Sequence, residues 1–320
     1  MFKIIITESV YDQILKEKRP DQSNLRKLLQ LEKARVTKID QDATTHILHN
    51  KEEVLKNPSA LYILNITSVD ALDIQRSYGV MCLSHENPNI TPLIDINDVH
   101  VSSVGKQLGS GWETVVNSIR GLPSNALLIT DRYLFASKYK RAGNGFDNVH
   151  DILSQLMPIE FNGGEYHITI VFDKTNIDPD YKFSAIAAEL QSQIHELRHY
   201  PIMLEVLGIT PKCDVYNDLH NRLIVSNYYF VEASHKLAAF NQKYGTAHQT
   251  LLPVALFTES SLNQATTHPL YAIDQTIATF INFSDSSANP LNQDKYFFAL
   301  NGKKKKCCFS LRNRLLQKQE

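Results

Sequence analysis

The sequence predicts an α/β protein in two parts, the first built on a mainly parallel sheet with helices on both faces and the second a further α/β domain. Two observations carry that class. Short apolar β-type runs alternate with helical periodicity over the first hundred residues, the pattern of strands joined by crossover helices. After a connector at 85–111, holding Asn87-Pro88-Asn89, Thr91-Pro92, Gly105, Gly109 and Gly111, strands and helices alternate again. A chain of 320 residues exceeds what one core needs, so two domains are expected, 1–100 and 101–320.

Residues 2–7 read as a strand. Helical periodicity over 8–31 breaks at Arg19-Pro20-Asp21 and predicts two helices, because proline removes a donor and clashes with the preceding turn. Strands follow at 35–39, 61–66 and 80–83, with a short helix at 51–56. Ser68 fits an N-cap and Gly79 a C-cap for a helix over 69–78. Weak alternation over 94–104 predicts an edge strand. In the second part we expect helices at 112–119, 147–156 and 183–200. Its strands are expected at 126–130, 166–172, 203–208, 222–226, 277–283 and 296–300.

Charged residues make up 21% of the chain and the formal net charge is -1, so no chain-wide field attracts nucleic acid or an anionic membrane. Any such binding rests on a local patch. Cys82, Cys213, Cys307 and Cys308 form no C-x-x-C pair, which predicts free thiols in a reducing compartment. The apolar start is too short for a signal peptide, and no apolar run approaches the ~20 residues of a membrane span. A cytoplasmic protein is expected.

The most informative stretch is His220-Asn221-Arg222, followed by Asn227, with spacing H-x-R-x4-N. In a strand, His220 and Arg222 share a face. A histidine can attack phosphorus, and an arginine holds non-bridging phosphate oxygens bidentately. The plainer alternative makes His220 a hydrogen-bonded strand residue and pairs Arg222 with Asp131 or Asp218.

Together with the strand-and-turn segments 127–134 and 166–173, this motif makes residues 112–300 resemble the phospholipase-D-like fold, whose signature is H-x-K-x4-D. The resemblance implies a catalytic set of His220, Arg222 and Asn227. Asparagine cannot accept a proton, however, and active members carry two such motifs, from two halves or from two subunits of a homodimer. Degenerate single-motif members of the superfamily are binding modules.

In the first part, Glu8, Asp70 and Glu86 follow strand ends, which an open parallel sheet brings to one edge. Carboxylates gathered there would hold Mg²⁺ or Mn²⁺. Residues 1–90 thus resemble a PIN-type nuclease domain. The plainer alternative is a Rossmann-like scaffold whose acids complement helix dipoles.

Three further features bear on ligands. Lys138, Lys140 and Arg141 in one loop, and Lys303, Lys304, Lys305 and Lys306 near the end with Arg312, Arg314 and Lys318, are candidates for phosphate binding. Tyr228 and Tyr229 are candidates for base stacking. His195-Glu196-Leu197-Arg198-His199 fits the zinc-protease string, although Tyr200-Pro201 follows at once.

The sequence therefore predicts a protein directed at nucleic acid, DNA or RNA, that binds or cleaves phosphodiesters. The domain combination suggests a setting in prokaryotic antiviral defence. The alternatives are a non-catalytic module for a protein partner or lipid headgroup, and a zinc hydrolase acting through His195 and His199.

Overall fold

A computed structural model describes residues 2–17, 22–94, 99–101, 117, 119, 121–136, 142–177, 183–211, 216–217, 222–233, 249–257, 269–285, 295–299, 304–307 and 311–317. The chain is α/β, as its alternating periodicities predict. The first sheet comprises β1 (Ile4–Thr7), β2 (Val36–Ile39), β3 (Leu61–Leu64) and β4 (Cys82–Ser84). These strands lie in the order β2-β1-β3-β4 and all pair in parallel. Its helices are α1 (Glu8–Lys16), α2 (Ser23–Leu31), α3 (Gln41–His49) and α4 (Ser68–Tyr78).

Among the described residues the second sheet has nine strands: β5 (Val99–Val101), β6 (Ala126–Thr130), β7 (Tyr166–Asp173), β8 (Ile202–Ile209), β9 (Arg222–Ser226), β10 (Tyr229–Ala233), β11 (Gln249–Ala255), β12 (Lys295–Ala299) and β13 (Lys304–Cys307). Their order is β13-β12-β8-β7-β6-β9-β10-β11-β5. Among these described strands β6, β7 and β8 pair in parallel and the other pairings are antiparallel. The helices here are α5 (Ala142–Leu156), α6 (Phe183–His195) and α7 (Pro269–Asp285). Among the described residues, no helix is long and apolar enough to cross a membrane.

The two sheets share one core. Alternate residues of a strand face opposite ways, and β1 sends Ile4 and Ile6 into a cluster that continues through Leu127, Ile129, Ile170 and Val225 of the second sheet. Its other face sends Ile5 into a smaller cluster with Tyr62, Leu64, Ala71 and Ile74.

Several elements depart from expectation. Residues 277–283 are not a strand; they lie inside α7. The buried residues Leu270, Ile273, Ile277, Phe280 and Ile281 follow helical spacing, which a window confined to the β-rich end does not reveal. The helix expected over 183–200 stops at His195. Helix α3 was missed because Thr44 is its only buried residue, although Asp40 caps it by accepting from the Ala43 amide. Thr67, one residue earlier than expected, caps α4.

Gly79 has φ 61° at the α4 C-cap, and a Cβ there would sit 2.1 Å from the Ser124 carbonyl oxygen. Only glycine satisfies both the left-handed backbone and this close approach of the second sheet.

Candidate functional site

Strand β9 runs antiparallel to β6, pairing Thr130 with Leu223 and Leu127 with Ser226. Arg222 at the start of β9 is thereby brought beside Asp131, just past β6. Strand β7 runs parallel to β6 and delivers Asp173 to the same edge. Backbone bonds fix the turn: the Asp131 amide donates to Val171 O and the Asp173 amide to Arg132 O. Asp131, Arg132, Asp173 and Arg222 are thus all carried at the edge where parallel strands end, the edge at which open α/β sheets present ligands.

Arg222 Nε lies 3.6 Å from Asp131 Oδ1, an ion pair longer than a hydrogen bond, with side chains 13% and 4% exposed. The same oxygen accepts the Tyr133 amide at 2.8 Å. The Arg222 guanidinium also lies 5.4 Å from the centre of the Tyr133 ring, and Tyr133 is 40% exposed. A second such pair sits alongside, with the Arg132 guanidinium 3.7 Å from the Tyr216 ring centre. Arg132 also donates to Tyr216 O.

The Tyr216 hydroxyl donates to Asp173 Oδ2 at 2.8 Å. Loss of solvent, then this bond, raises the phenol above its ordinary range. Asp173 is buried and also accepts from the Thr175 amide and hydroxyl and from Asn176 Nδ2.

The H-x-R-x4-N string is divided between two environments. Asn227 lies at the far end of β9, buried between the sheets. Its Nδ2 donates to Pro58 O at 3.0 Å and Gly79 O at 2.9 Å, and its Oδ1 accepts from Ser226 Oγ. Asn125 Nδ2 donates to the same two carbonyls. Asn227 therefore has a structural position, apart from Arg222. His220 lies outside the described residues. Tyr228 and Tyr229 are both buried, so the expected base stacking has no exposed rings to use. The Tyr228 hydroxyl instead accepts the Met81 amide and donates to Ala60 O.

The carboxylates of the first part have local partners. Glu86 accepts from the Ser68 amide and hydroxyl at the start of α4, and these bonds hold its carboxyl below the usual range. Asp70 accepts from the Thr67 hydroxyl at 2.6 Å and lies 3.9 Å from Lys51 Nζ. Glu8 is exposed at the start of α1. Among the described residues, no group of three or more His, Cys, Asp or Glu is placed to hold a metal ion.

His195 ends α6, so His199 lies beyond the helix and the i, i+4 geometry of the zinc string is not formed. Lys138, Lys140, Arg141 and Lys303 lie outside the described residues. Lys304, Lys305 and Lys306 belong to β13, an edge strand paired with β12. Arg314, by contrast, is turned to the protein, donating to Glu165 O.

One polar cluster was not anticipated. Glu205 is fully buried on β8 and accepts from Thr169 Oγ1 and from the Arg312 and Asn313 amides. Burial outweighs these donors and raises its carboxyl to about 7. The neighbouring His167, lowered to about 3 chiefly by burial, accepts the Arg314 amide. The sequence signal is a lone acid inside an otherwise apolar strand, Ile202-Met203-Leu204-Glu205-Val206-Leu207.

No protein-family model matches the chain, and no curated protein matches it in sequence.

Proposed function

We propose that the protein binds the phosphodiester backbone of nucleic acid at the Arg222 edge of the second sheet, as a recognition module that does not cleave its ligand. One observation carries this reading: the Arg222 guanidinium is set between a buried carboxylate and an exposed aromatic ring at the carboxyl ends of parallel strands. Asp131 orients the guanidinium, which is suited to bidentate phosphate contact. Tyr133 offers a face on which a base stacks. Asp131, Arg132, Asp173 and Arg222 sum to zero formal charge, so attraction at long range falls to the basic run Lys138, Lys140 and Arg141, which follows Ala136 in the chain.

The residues favour binding over cleavage. Asn227 cannot act as a base where the phospholipase-D-like pattern has an acid. The Asp131 carboxylate is already held by Arg222 and the Tyr133 amide.

The test is fluorescence anisotropy with labelled single-stranded DNA and RNA across a salt series. Wild-type protein should bind more weakly as salt rises, and Arg222→Gln should lower the steepness of the log–log plot by about 1. Equal affinity and equal slope in the variant would remove this edge as the site. Shortened oligonucleotides after incubation with Mg²⁺ would overturn the non-cleaving assignment.

A further inference from the structure

We infer that Arg132 forms a second phosphate subsite beside Arg222, and that Tyr216 holds it closed in the free protein. The inference rests on reading this edge as a phosphodiester-binding site and adds a subsite and a gate to it.

Arg132 and Arg222 flank Asp131, one as its neighbour in the chain and the other across the β6–β9 pairing. Two guanidiniums so placed suit successive phosphates of one strand. Arg132 is only 8% exposed, and its Nε is buried without a hydrogen-bond partner among the described residues. A guanidinium carries five N–H donors, and burying one unpaired is costly unless a ligand uses it.

The cover is Tyr216, whose ring lies against the Arg132 guanidinium. Tyr216 is only partly buried, and its hydroxyl bond to Asp173 tethers the ring tip. Asp173 is itself fixed by Thr175 and Asn176, so it anchors the cover firmly. A phosphate on Arg132 must displace the ring. The displaced ring is then free to stack on a base of the same strand.

A covered site binds with an apparent affinity reduced by the fraction of molecules that are open. Loosening the cover therefore tightens binding. Tyr216→Phe keeps the ring and removes its tether to Asp173. Its affinity for a labelled single-stranded oligothymidylate should rise about threefold to tenfold, the equilibrium equivalent of one hydrogen bond. Asp173→Asn, which weakens the same tether, should act in the same direction. Adding Arg132→Gln to Tyr216→Phe should bring affinity below that of wild type.

Unchanged or weaker binding by both Tyr216→Phe and Asp173→Asn, with Arg222→Gln still impaired, would overturn the gate and leave the Arg222 site standing. Arg132→Gln binding as wild type would overturn the subsite. Failure of the wild-type protein to bind the probe would remove the underlying reading as well.

Discussion

Arg222 and Asn227 stand five residues apart at the two ends of β9 and solve opposite problems. At the Arg222 end, two carboxylates and two guanidiniums share one sheet edge with partly exposed tyrosines, and Arg132 Nε lacks a hydrogen-bond partner among the described residues. At the Asn227 end, neutral amides and a tyrosine hydroxyl knit β6 and β9 to β3, β4 and the α4 C-cap, all out of water. Neutral buried hydrogen bonds stabilise modestly but are expensive to break. Buried ion pairs add little net stability, because desolvation offsets their attraction, and they place strong binding chemistry at this edge. The strand therefore ties the sheets together at one end and presents a ligand edge at the other.

The division of labour breaks first at Gly79. In Gly79→Ala the new Cβ meets the Ser124 carbonyl and the backbone keeps a left-handed conformation. The two amide clasps share the Gly79 oxygen, so the clash spreads to both. We expect a loss of about 3–5 kcal/mol in denaturant unfolding. Oligonucleotide affinity of the folded fraction should hold, because the Arg222 edge lies at the other end of the sheet. Loss of binding by fully folded Gly79→Ala would show that the two ends are coupled.

Glu205 sharpens the contrast, being a buried acid at neither end. Its folded-state value of about 7 lies above the ordinary glutamate value of 4.5. The folded protein therefore holds a proton that the unfolded chain releases between those values, and stability falls as pH rises through that window. The expected loss is about 3 kcal/mol, complete above pH 7. Glu205→Gln should flatten this part of a pH series of unfolding midpoints. A slope that survives the substitution would assign the titration to another group.

At the sealed end, Asn227→Ala removes two donations to Pro58 and Gly79 and strips Asn125 of a neighbour. The cost should be about 2 kcal/mol in urea unfolding, because Asn125 still reaches both carbonyls. The double variant with Asn125→Ala should cost more than the sum of the two, since each amide backs up the other.

Much of this was legible in the sequence. Apolar runs located β1, β3, β6, β7 and β8, because strands buried on both faces read as continuous hydrophobic stretches. The pairing of Arg222 with Asp131 was one of two alternatives the sequence left open, and the structure contains it. The function of Asn227 was not legible, since its partners Pro58 and Gly79 lie 169 and 148 residues away in the chain. The motif H-x-R-x4-N fixes spacing along a strand, and spacing cannot say that the strand's ends face different surroundings. Tyr216 and Asp173 were invisible for a similar reason: only the meeting of β7 with a distant turn brings them together.

The smallest effects come from two tyrosines, and they separate the ends most cleanly. Tyr133 shows its ring to solvent beside Arg222, whereas Tyr228 is wholly buried with its hydroxyl bonded on both sides. Tyr133→Ala leaves its backbone amide bonded to Asp131 and removes only the ring. It should weaken oligonucleotide binding by about 1 kcal/mol, roughly fivefold, with little change in stability. Tyr228→Phe should do the reverse, costing about 1 kcal/mol of stability by leaving the Met81 amide and Ala60 carbonyl unpaired, with affinity intact. If both substitutions moved stability and neither moved affinity, Tyr133 would be a structural residue like Tyr228, and the Arg222 edge would lose its aromatic contact to the ligand.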